Sequence, residues 1–215
     1  MVQRRAGWWG IAFVVGVFIA AAVVSLPASS ATPARIAAFY QQHAAAVIVT
    51  QLVGLAAAVA FVMFLRTVLA GELTGATGQR MLWATGGLVV VGQLLTAAPV
   101  LALALLRSAE PVTWTRLTEL SELADDVLFV AIALFCAELA WAATQLWLRI
   151  FAGAVAALAL GRGVDTSFGA SVLDPLAPSA FLLLMLVISI RVLARRPAPA
   201  GTAGQPSAPD MNPLV

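Results

Sequence analysis

Six apolar runs recur along this chain, separated by short stretches that hold most of the charge. They fall near residues 7–26, 44–69, 82–106, 124–144, 147–163 and 176–194. About 20 apolar residues in a helix cover the roughly 30 Å of hydrocarbon in a bilayer. The pattern therefore predicts an all-α integral membrane bundle of six transmembrane helices. The fourth and fifth runs are almost contiguous, which predicts a tight hairpin turning at Ala143-Thr144-Gln145. Residues 1–196 read as one transmembrane domain. Residues 197–215, with five of the 11 prolines, read as a disordered cytoplasmic tail. The first run has features of a signal peptide, with Arg4 and Arg5 ahead of it and Leu26-Pro-Ala-Ser-Ser-Ala31 behind. It is longer than the usual apolar core of about 7–15 residues, so a retained first helix is expected.

Composition supports the membrane reading and removes several chemistries. Of the 215 residues, 62% are hydrophobic and 10% charged, with a mean hydropathy of +0.99. Soluble domains carry about 25% charged residues, so much of this surface is expected to face lipid. A formal charge of +2 is too small to suggest a nucleic-acid partner. All 12 basic residues are arginine, and without lysine no retinal or pyridoxal Schiff base can form. One cysteine, Cys136, permits no internal disulfide, and one histidine, His43, rules out a multi-histidine metal or bis-histidine haem site. No cofactor is expected.

Charge placement gives an orientation. With the N-terminus inside, eight arginines (4, 5, 66, 80, 149, 191, 195 and 196) face two inner acids, Glu72 and Asp210. The outer side holds Arg35, Arg107, Arg116 and Arg162 against seven acids: Glu110, Glu119, Glu122, Asp125, Asp126, Asp165 and Asp174. Arginine excess on the cytoplasmic side is what insertion favours. Trp8, Trp9, Trp83, Trp141 and Trp147 fall at inner helix ends and Trp114 at the outer side, the headgroup levels that indole prefers. Both patterns predict a protein of the cytoplasmic membrane with both termini cytoplasmic.

The densest chemistry is Glu119, Glu122, Asp125 and Asp126, at the entry to the fourth span. Pro111-Val-Thr113 predicts a helix start whose first turns these acids occupy. At 100° per residue Glu119, Glu122 and Asp126 share a stripe, with Asp125 pointing elsewhere. Such a stripe could collect a cation through oxygen ligands or relay protons. It could equally be a solvated helix start, with Arg116 paired to Glu119. His43, at the outer end of the second span, could join the acids at a metal or simply stand at the interface. Glu138 sits near the inner end of the fourth span, where it could pair with Arg149 or line a route through the bundle. Gln51 and Gln93, flanked by Thr50 and Thr96, are expected to hydrogen-bond between helices, or to contact a solute. Pro99 predicts a bend in the third helix. Gly10, Gly16, Gly86, Gly87, Gly92 and the Gly54/Ala58 pair predict close helix approach. No P-loop, dinucleotide-binding fingerprint, nucleophile elbow, zinc-protease motif or CxxC occurs.

Several segments together resemble a group of six-helix actinobacterial membrane proteins classed as domains of unknown function. They are Arg4-Arg-Ala-Gly through Gly10-Ile-Ala-Phe-Val14, and Ala34-Arg-Ile-Ala-Ala-Phe-Tyr40. The others are Leu120-x-x-Leu123-x-Asp125-Asp126-x-Leu128-Phe129 and Trp147-Leu-Arg-Ile150. The resemblance covers about residues 4–196, implies the six-span bundle and carries no activity. The expected function is a non-enzymatic structural or accessory protein. It would act through helix–helix contacts with a membrane-protein partner or a second copy, in contact with the lipid bilayer. The alternative is a small-solute or cation transporter or channel entered through the outer acidic stripe, with Gln51, Gln93 and Glu138 along the route.

Overall fold

The computed structural model describes residues 2–28, 30–69, 76–106, 110–167 and 173–194. The tail, with Asp210, and Glu72, Arg107, Arg195 and Arg196 lie outside the described residues. Every regular element described is an α-helix: α1 (Val2–Val23), α2 (Pro33–Leu69), α3 (Ala76–Leu105), α4 (Pro111–Ala142), α5 (Leu146–Ser167) and α6 (Leu176–Ala194). Each helix packs against the next in sequence, and α6 returns to α1, which closes a ring. Short connections between antiparallel neighbours produce this order without any long crossover.

The centre of the ring is aromatic. Phe13 of α1, Phe61 of α2, Phe135 of α4 and Phe181 of α6 converge, all buried. Their ring centroids lie 5.1 to 6.4 Å apart, mostly edge-to-face, the geometry that ring quadrupoles favour. Ring contacts thus tie four of the six helices together at one level, and α1 supplies one of the four rings.

The outside of the ring is apolar too. On α4, Leu120, Leu123, Val127, Val130, Leu134 and Trp141 form an exposed stripe at helical spacing. Val15, Phe18 and Ile19 of α1, Val49, Leu52 and Val59 of α2, and Leu183 and Ile190 of α6 are equally exposed. Water would penalise so much contiguous apolar surface, so it marks a face that something apolar covers. Three helical stretches are long and apolar enough to cross a membrane: Pro33–Thr67, Gly78–Leu105 and Leu176–Ala194.

α2 has 37 residues and α4 has 32. At about 1.5 Å per residue both exceed the hydrocarbon thickness and run on beyond their apolar segments. Their extra turns build a second core, in which Ile36, Tyr40 and Val47 meet Val100, Leu103, Ala104 and Trp114. Tyr40 stacks on Trp114 at 6.2 Å. Trp114 is therefore buried in protein, and the helical extensions bring Tyr40 over it.

At the opposite end α4 stops at Ala142 and α5 starts at Leu146. Gln145 organises this turn. Its carbonyl accepts the Leu148 and Arg149 amides, and its Oε1 accepts Trp147 Nε1 at 2.6 Å and Arg191 Nη1 at 3.3 Å. The Arg191 guanidinium lies 4.2 Å over the Trp147 ring, which fastens α6 to the hairpin. Gln145→Ala is expected to lower stability by about 1 kcal/mol, read as a small fall in Tm of the detergent-solubilised protein.

Candidate functional site

Arg162, on the last turns of α5, gathers carboxylates from two other elements. Its Nη2 donates to Asp125 Oδ2 at 2.6 Å and its Nε to Asp174 Oδ1 at 3.0 Å. Nη1 lies 3.5 Å from Asp126 Oδ1 without a hydrogen bond and is a buried donor with no acceptor. The guanidinium also sits 3.9 Å over the Phe129 ring. The Arg162 side chain is only 12% exposed, whereas Asp125, Asp126 and Asp174 are 40 to 47% exposed.

Local structure explains the convergence. Asp125 precedes Phe129 by four residues, so both share the inward face of α4 that continues through Ile132 and Cys136. Asp174 stands in the turn that starts α6, where the Leu176 and Ala177 amides bond back to the Leu173 carbonyl. α5 packs between α4 and α6, so its arginine can reach both.

Two cavities meet at this cluster. One, about 590 Å³, is lined by polar groups from several helices, among them Gln51, Thr96, Thr118, Ser121, Glu122 and Asp126. The other, about 290 Å³, is mainly apolar and lies among Phe13, Phe61, Phe129, Leu128, Ile132 and Phe181. Gln93, Asp125, Arg162 and Asp174 line both. A polar vestibule and a mainly apolar chamber therefore share one charged wall.

The residues singled out from sequence divide accordingly. Gln51, Glu122 and Asp126 line the vestibule, and Gln93 lines both spaces. Glu119 is exposed and lines neither cavity, and no ion pair joins it to Arg116. Asp125, set apart from the stripe by angle, is the acid that holds Arg162 most closely. The acids also do not sit in the first turn of α4, which contains none. The helix begins at Pro111 with Glu110 as N-cap, so a dipole effect confined to the first turn does not explain them.

His43 is exposed, stacks on Phe39 at 4.8 Å and has its Nδ1 3.1 Å from the Phe39 carbonyl oxygen. It lines neither cavity. Glu138 is half-buried, lines neither cavity and makes no ion pair with Arg149. The hydroxyls of Thr50 and Thr96 donate to Val47 and Gln93 carbonyls of their own helices, at 2.8 and 2.9 Å. They supply no bond between helices. Among the described residues no group of three or more metal-ligating side chains occurs.

Arg162 and Asp174 are absent from the sequence-derived candidates. Arg162 interrupts the end of an apolar run, which is a signal for a buried or partnered charge. Asp174 carries no comparable signal, because only the fold brings its turn to α5. No protein-family model, no curated protein and no solved structure matches this chain.

Proposed function

We propose that all six helices cross the cytoplasmic membrane with both termini inside, and that the ring takes a small solute from the outer side. The observation that carries this reading is the pair of cavities, one polar and one apolar, that share the Arg162 wall. An accessory protein acting only through outer helix contacts needs no such space. The apolar stripe from Leu120 to Trp141 supports a fourth span, since about 21 residues of helix reach roughly 32 Å. Asp125 and Asp126 then lie within the span, facing the cavities. Arg66, Arg80, Arg149 and Arg191 favour the opposite end as cytoplasmic.

Cysteine labelling in intact cells tests the proposal, since Cys136 is fully buried and should stay silent. Ser121→Cys, in the vestibule, is expected to react with a membrane-impermeant maleimide from outside. Thr144→Cys, in the α4–α5 turn, is expected to react only after the cells are opened. Labelling of both from one side would overturn the six-span orientation. An unreactive Ser121→Cys in folded protein would remove the solute reading.

A further inference from the structure

We propose that the chamber and its charged wall bind a hydrophobic organic cation. Its charged head would lie against Asp125 and Asp174, its apolar body among the phenylalanines, and Arg162 would hold the head's place until displaced. This rests on the solute-binding reading above and adds the class of solute.

Three aspartates share one guanidinium at the wall. An anion entering there would meet an excess of negative charge in a partly dehydrated site, where repulsion is screened far less than in water. A neutral solute would use none of it.

The chamber's volume of about 290 Å³ suits a small ligand. Phe13, Phe61, Phe129 and Phe181 line it, and the negative faces of such rings attract cations. Burying an apolar body there adds affinity that a bare cation cannot gain.

Arg162 already displays a cation held between carboxylates and over an aromatic ring, the geometry proposed for the ligand. Yet its buried Nη1 lacks an acceptor, and an unmet buried donor carries a desolvation cost. The guanidinium is thus an imperfect occupant. Arg162 also lines the vestibule, which gives its side chain a polar space to move into.

Equilibrium binding to the purified full-length protein tests the proposal with three probes: benzyltrimethylammonium, tetramethylammonium and phenylacetate. Benzyltrimethylammonium is expected to bind saturably, tetramethylammonium about tenfold more weakly for want of an apolar body, and phenylacetate at background. Asp125→Asn with Asp174→Asn should weaken the aromatic cation about tenfold or more. Arg162→Gln should tighten it, because the competing cation is gone. Gly54→Leu provides a variant that leaves the charges alone. A Cβ there meets only Gln93 Nε2, at 3.5 Å, so the larger side chain enters the chamber and should abolish binding.

Phenylacetate bound more tightly than benzyltrimethylammonium would overturn the cation class while leaving the solute reading in place. Binding unaffected by Gly54→Leu, weakened by Arg162→Gln, or absent for all three probes would also overturn the proposal. Whether the vestibule is open at all is read separately from Ser121→Cys labelling.

Discussion

Arg162→Gln is expected to destabilise the protein by about 2 kcal/mol, measured by reversible denaturation in mixed micelles. Removing one partner of a buried ion pair costs about 3–5 kcal/mol when the charge left behind has no water. Here the aspartates are 40 to 47% exposed, so the vestibule can hydrate them and the lower figure follows. The loss should be coupled to its partners. In an Asp125→Asn, Asp174→Asn background, where only Asp126 at 3.5 Å still faces the guanidinium, Arg162→Gln should cost clearly less, giving a non-additive cycle. Asp125→Asn alone should cost about 1 kcal/mol, because Asp174 and Asp126 still neutralise the arginine. Equal cost of Arg162→Gln in both backgrounds would mean that its packing on Phe129, not its ion pairs, supports the fold.

Why Arg162 is legible only in part follows from what a sequence carries. Apolar run length fixes the helices well: α4 and α5 part at Ala143–Gln145 because the run is broken there by Thr144 and Gln145. Run length does not fix where helices start. α2 and α4 begin at Pro33 and Pro111, where proline suits the first helical turn, well outside their apolar segments. Helical angle arithmetic groups Glu119, Glu122 and Asp126, but it cannot say which face turns inward. The buried stripe Ala124, Leu128, Phe129, Ile132, Phe135, Cys136 and Leu139 decides that, and Asp125 extends it while Glu119 does not. The pairings of Arg162 with Asp125 and with Asp174 span 37 and 12 residues of sequence. Only the closed ring brings these positions together, and no local pattern encodes it.

Gly10→Ala is expected to cost about 3 kcal/mol, at the upper end for overpacking a well-filled core, and Gly10→Val more. A Cβ at Gly10 would come within 1.9 Å of Ser189 Oγ and 2.8 Å of the Phe64 ring. Ser189 is fully buried and Phe64 nearly so, so neither can yield cheaply. The Ser189 hydroxyl donates to the Met185 carbonyl at 2.6 Å and would have to give up that bond to move. Gly7 approaches the same residue, with a Cβ there 2.7 Å from the Ser189 carbonyl oxygen. α1 and α6 thus close the ring by laying two glycines across one serine, a close approach of the kind small residues allow in membranes. Ser189→Ala in the Gly10→Ala background should recover part of the loss, since it removes the nearest clashing atom. Gly87→Ala is the contrasting case. Nothing lies within 4 Å of a Cβ there, and alanine restricts the unfolded chain, so stability should rise by about 0.5–1 kcal/mol. A Gly10→Ala protein as stable as wild type would show that α1 does not seal against α6, and the ring around the chamber would then be open on that side.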